Sequence, residues 1–218
     1  MQVMPTWAEA ADPGLVYDAG ITHFCNYDID HPIVRPIFAA VLNAIIPPIV
    51  ETGVLFSVCL ANEPGFQAAN SSYTLHNFQT YLRTQYATIS VLNAAWFSNF
   101  TGFDDVTLVQ AMGYHDYCSE QQLVWSTFNR DRVSSFYRFL TDTIHTAAAS
   151  VNRTARVQVK VNNQGTPLGK THTHGLDREA LAQFLDLHGC DTRAESVDTP
   201  HIPFPQHVDG MEVGCRLM

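Results

Sequence analysis

The run Val54-Leu55-Phe56-Ser57-Val58-Cys59-Leu60 narrows the folds open to this chain more than any other segment. It is too short for an ordinary helix, nearly all apolar, and bounded by turn residues, the pattern of a strand buried on both faces. Strands of that kind belong to parallel sheets covered by helices on both sides. Cys59, inside the run, is then expected to act as a small buried hydrophobe. The run closes in Ala61-Asn62-Glu63-Pro64, where Pro64 drives the residue before it away from helical dihedrals. Glu63 accordingly falls at the C-terminal rim of a strand, the place where βα loops gather reactive side chains. An ordinary turn with a proline-set φ fits the same triplet.

Helical periods flank this strand. Ile37, Val41, Leu42, Ile45, Ile46 and Ile49 recur at helical spacing after Asp30-His31-Pro32, with Pro47-Pro48 disturbing the end. Beyond a polar loop from Gly65 to Ser72, the residues Phe78, Tyr81, Leu82, Tyr86, Ile89, Leu92 and Trp96 predict a second helix, whose tyrosines are packing groups. Asp104-Asp105 follow in a loop, as exposed charges or a bent cap. Ser119-Glu120-Gln121-Gln122 has the form of a capping box ahead of the longest period, from Phe128 through Ile144. Val157 to Val161 predicts a strand ending in Asn162-Asn163, and Asp177 caps a helix carrying Leu181, Phe184, Leu185 and Leu187 up to Gly189. Alternating strands and helices predict an α/β fold with a parallel sheet.

A chain of 218 residues with 46% hydrophobic and 15% charged residues suffices for one core, so a single domain is expected. The net charge of −9, with only 12 scattered Lys and Arg, disfavours nucleic acid and anionic membrane as partners. No stretch approaches the ~20 apolar residues of a membrane span, and no signal peptide is visible, which leaves the compartment open. Five cysteines without a C-x-x-C pair indicate neither zinc nor a disulfide framework. His172-Thr173-His174 raises a metal-dependent hydrolase as an alternative, but it lies among Gly165, Pro167, Gly169 and Gly175 with no third ligand at sensible spacing. No metal is therefore expected. The serine elbow, the phosphate loop and the dinucleotide fingerprint are all missing from the sequence.

Two linked patterns carry a resemblance. Asn62-Glu63-Pro64 at a strand end resembles the acid/base motif of the retaining glycoside hydrolases built on a (β/α)8 barrel. Phe78-x-x-Tyr81-Leu82, Tyr86, Ile89, Leu92-Asn93 and Trp96 are similar to the helix that follows this motif in family 42, the β-galactosidases. Met4-Pro5-Thr6-Trp7 resembles the P-x-W segment leaving an earlier strand of that family, and His188-Gly189-Cys190-Asp191 the start of a later one. The resemblance spans residues 4–193 and is densest from 54 to 97.

That resemblance implies a partial TIM (β/α)8 barrel over residues 1–193, with an irregular tail over 194–218. It implies hydrolysis of terminal β-D-galactosides by a retaining mechanism, with Glu63 as general acid/base and Asn62 bonded to a sugar hydroxyl. Asn162 and Trp7 are further candidates to line the cleft, beside plainer roles as a strand-end turn and a packed ring. The mechanism requires no cofactor, and the expected partner is a carbohydrate, with a homo-oligomer left open because family members often form trimers. The family's nucleophile is a Glu at the seventh strand, whereas about four of the eight βα units are recognisable here, so the chain reads as truncated at both ends. Glu212 is the late candidate for that carboxylate. Two alternatives stay open: a glycosidase of the same clan acting on another β-linked polysaccharide, and an inactive remnant that binds sugar without turnover.

Overall fold

The computed structural model describes residues 4, 6–16, 27–62, 64–66, 71–108, 119–162 and 175–191, with 161, 162 and 188–191 by backbone alone. In chain order the elements are α1 (Thr6–Ala11), a 3₁₀ turn (Pro13–Leu15), α2 (Val34–Glu51), β1 (Val58–Asn62), α3 (Ser72–Gln85) and α4 (Ile89–Trp96). A 3₁₀ turn (Phe103–Asp105), α5 (Glu120–Ala149), β2 (Val157–Asn162), α6 (Arg178–Ala182) and β3 (Leu187–Asp191) follow. The three strands form a parallel sheet in the order β1-β2-β3. Parallel neighbours need a crossover between them, which α3 to α5 supply for the first pair and α6 for the second.

The main core lies between the sheet and the pair α2 and α5. α2 buries Val34, Phe38, Leu42, Ile46 and Val50, one residue every fourth position, so a single stripe meets α5. Opposite it α5 buries Val133, Phe136, Tyr137, Leu140 and Ile144. Ser119 caps its start by accepting from the Gln122 amide at 3.2 Å, but the reciprocal half of the expected capping box is not made, as Gln122 Oε1 is buried without a hydrogen-bond partner. The first turns of α5 reach a second cluster, where Trp125 and Phe128 pack with Phe78, Leu82, Tyr86, Leu92 and Trp96. Tyr86 and Tyr81 are therefore packing residues, and the Tyr86 hydroxyl accepts from Trp96 Nε1 at 3.0 Å while it donates to Glu120 at 3.1 Å.

Several sequence expectations need correction. α2 runs through Pro47 and Pro48 to Glu51, because Ile46 and Val50 on either side are held in the core, at the cost of the hydrogen bonds those two positions would have given to the carbonyls of Asn43 and Ala44. By length and composition this 18-residue helix, of mean hydropathy 1.5, is long and apolar enough to cross a membrane, contrary to the expectation of no such stretch. The helix predicted from Phe78 to Trp96 breaks at Tyr86, and Thr88 caps α4 by accepting from the Val91 amide at 3.3 Å. The helical period survives the break because both pieces bury their faces in one cluster. The loop after β1 is less polar than expected, for Phe66 is fully buried. α6 ends at Ala182 rather than Gly189, and Leu187 opens β3.

β1 is shifted as well, from the expected start at Val54 to Val58. Pairing begins only where the Val58 amide reaches Arg156 O at 2.8 Å, and before that point Val54 and Phe56 are 84% and 70% exposed. Cys59 is exposed rather than buried. The helices α2 and α5 cover one face of the described sheet, that of Val157 and Val159, while Cys59 pairs with Gln158 on the other.

Asp186 pins the start of the sheet. Its Oδ2 accepts from the Val157 amide at 2.9 Å and lies 2.9 Å from His145 Nε2, and its own amide donates to Val157 O at 3.1 Å. Burial works to raise its pKa, but the hydrogen bonds from His145 and Val157 outweigh this and hold it below the ordinary 3.8. A carboxyl whose pKa is depressed on folding adds stability above its unfolded pKa and loses it as the pH falls through the folded one. Asp186→Asn should therefore lower Tm at neutral pH, with the gap to the parent closing below pH ~4. An equal gap in thermal scans at neutral and strongly acidic pH would count against this clamp.

Candidate active site

The C-terminal ends of the three parallel strands define the rim of the site. Asn62 ends β1, Asn162 ends β2 and Asp191 ends β3, with Asn162 in register with Asp191. A bulge just below the rim sets the direction of Asn62. Cys59 pairs with Gln158 and Asn62 with Lys160, so Leu60 and Ala61 together oppose Val159. Leu60 and Ala61 are both buried. Gln158 and Lys160 share a face by the two-residue period of a strand, and Asn62 comes beside Lys160 on that face, away from α2 and α5. A regular strand would have turned it the other way.

The loop leaving β1 is anchored from three directions. Phe66 packs with Tyr27, Phe136 and Tyr137 at centroid separations of 6.0, 6.2 and 6.1 Å. Its carbonyl accepts from Asn129 Nδ2 of α5 at 2.9 Å, and Asn129 is wholly buried. Arg132 Nε donates to Asn129 Oδ1 at 2.7 Å, and Arg132 Nη1 lies 2.6 Å from Asp30 Oδ2, an ion pair almost shut off from solvent. Asp30 also accepts from Thr74 Oγ1 at 2.6 Å and Asn77 Nδ2 at 3.2 Å on α3. Beside it Asp28 accepts from Ser71 Oγ and from the Asp30 amide. Burial raises the Asp28 pKa above the ordinary carboxylate value, against the opposing Ser71 hydrogen bond.

The two asparagines proposed from sequence thus share one rim, Asn162 standing two register positions beyond the level of Asn62. Glu63 is the next residue after Asn62 and, like Glu212 and the His172-Thr173-His174 pair, lies outside the described residues. Trp7 stands on α1 with 65% of its surface exposed, which corrects the packed-ring reading. Among the described residues no group of three His, Cys, Asp or Glu side chains is placed to hold a metal. Sequence reading passed over Asn129, Arg132, Asp28 and Asp30. Asn129 and Arg132 carried a signal, since both fall in phase with the apolar stripe of Phe128, Val133 and Phe136, where a polar side chain needs buried partners.

A strand-end Asn-Glu-Pro on a parallel sheet agrees with the comparison to known families. The model of glycoside hydrolase family 42, described as beta-galactosidase, matches residues 12–202. The chain belongs to this family. No curated protein sequence matches it. Among solved structures, the apo exo-carrageenase of family 42 from Bacteroides ovatus is similar at 25% identity and a TM-score of 0.71, covering 87% of this chain and 27% of that one. The beta-galactosidase from Bacillus circulans sp. alkalophilus is similar at 17% identity and TM-score 0.68, covering 91% of this chain and 30% of that one. The catalytic domain of beta-amylase from Paenibacillus polymyxa shares the fold at 12% identity and TM-score 0.70, covering 92% and 58%. The family 42 chain is thus a partial (β/α)8 barrel, spanning less than a third of the length of the exo-carrageenase and of the beta-galactosidase compared with it.

Proposed function

We propose that this chain carries the acid/base side of a retaining β-galactosidase site, with Glu63 as general acid and then base and Asn62 as a substrate contact. The observation that carries the reading is Asn62 at the end of β1, turned by the bulge to the face away from the helices, in a chain of family 42. In the retaining mechanism one carboxylic acid protonates the departing glycosidic oxygen while a second carboxylate, ~5–5.5 Å away, attacks the anomeric carbon. Glu63 gives its proton to the leaving oxygen, then takes one from the water that releases the sugar. The charge of the second carboxylate keeps Glu63 protonated at the start of the cycle. Glu212 is the candidate for that second group. Residues 1–193 form the catalytic portion, with a carbohydrate as substrate and no cofactor.

A second reading, action on another β-linked polysaccharide, is favoured by the likeness to the exo-carrageenase. Incubation with an activated 2-deoxy-2-fluoro-β-galactoside followed by intact-mass spectrometry tests the first. One added sugar, mapped to the peptide of the nucleophile, is the expected result. No adduct on folded chain, together with release of sugar from carrageenan oligosaccharides, would favour the second reading.

A further inference from the structure

We propose that Asn129 is a positioning residue for the loop that carries the acid/base, holding it from α5 at the junction of the loops after β1 and β2. The inference rests on the role proposed for Glu63. Asn129 meets three parts of the chain at once. Its Nδ2 donates to Phe66 O, three residues beyond Glu63, at 2.9 Å. Its Oδ1 accepts from Arg132 Nε at 2.7 Å, which fixes the amide's orientation so that Nδ2 faces the loop. Gly175, where the chain returns after β2, lies against that same Nδ2. A Cβ there would stand 2.8 Å from Asn129 Nδ2 and 2.8 Å from Val133 Cγ2, and the φ of +71° is itself a glycine conformation. A side chain larger than hydrogen at position 175 would therefore press on the very nitrogen that donates to Phe66 O.

A buried amide oriented in this manner contributes more than one hydrogen bond of stability. General acid catalysis needs the proton within ~2.6–3.2 Å of the leaving oxygen, so slack in the loop is read out in the proton-transfer step. A misplacement of ~1 Å costs about 10²-fold when it occurs at the reacting atoms. Phe66 holds the loop by packing, and Asn129 adds a directional side-chain contact to its backbone.

Asn129→Asp keeps an acceptor for Arg132 Nε and sets a carboxylate oxygen against Phe66 O where the donor stood. Gly175→Ala presses directly on the donating Nδ2 of Asn129. The chain and both variants would be compared by hydrogen–deuterium exchange over residues 60–71, and by kcat and KM on a dinitrophenyl and an alkyl β-galactoside. Faster exchange confined to 60–71 is expected, with kcat on the alkyl substrate falling at least tenfold more than on the dinitrophenyl one and KM little changed. Unchanged exchange in whichever variant remains folded by circular dichroism overturns the anchor. Faster exchange with equal losses on both substrates, or none, leaves a structural contact and overturns the positioning role. A folded parent inactive on both substrates overturns the acid/base reading and the positioning role with it, and is told apart from the other failures because the parent itself is silent.

Discussion

Glu63→Gln is expected to lower kcat/KM toward a β-galactoside with an alkyl or sugar leaving group by about 10²–10⁴-fold, the range that a general acid contributes. The substitution keeps the shape of the side chain and removes only the transferable proton. An alkoxide leaves poorly, so cleavage of the glycosidic bond depends on that proton in the transition state. A dinitrophenolate leaves well without it, and the first step on that substrate should be nearly spared. The second step still needs a base to take a proton from water, so the glycosyl-enzyme should accumulate, giving a burst of dinitrophenol followed by slow turnover. Azide, which needs no deprotonation, should then restore turnover and yield a glycosyl azide. Equal losses on both substrates without azide rescue would remove Glu63 from the acid/base role.

The elements that the sequence made legible are those decided locally. Ser119 and Asp177 cap their helices through bonds to amides three residues on, and the apolar spacing of α5 puts Phe136, Leu140 and Ile144 in the core as read. The β-branched run at Val157 became β2 because alternation needs no distant partner to be recognised. Asn62 was legible as a strand-end residue, but its direction was not, because the bulge is defined only by pairing with β2, which lies about a hundred residues away. The same limit hid the helix through Pro47 and Pro48, the exposure of Cys59 and the tie from Phe66 to Asn129. Each depends on what another segment places alongside. Trp7 is the reverse case, since the packed ring weighed beside its cleft role stands largely in solvent.

Arg132→Met is expected to destabilise the chain by about 3–5 kcal/mol, the cost of leaving one member of a buried ion pair uncompensated. Arg132 and Asp30 have side-chain exposures of only 7% and 9%, so water can replace little of what is lost. Thr74 Oγ1 and Asn77 Nδ2 still donate to the Asp30 carboxylate, which places the loss toward the lower end of that range. Met fills most of the aliphatic volume of Arg, so the effect reports charge and hydrogen bonding rather than a cavity. Asp30→Asn in the same chain should recover part of the loss, because the carboxylate left unpaired by the first change is gone. Urea unfolding of the parent, the single and the double variant measures all three. A midpoint unmoved by Arg132→Met would mean that solvent reaches the pair, and a double variant no better than the single would assign the loss to packing around Arg132. The expected pattern makes this pair the support beneath the Asn129 contact, joining α5 to the segment before α2 and to the start of α3, and so to both ends of the loop that leaves β1.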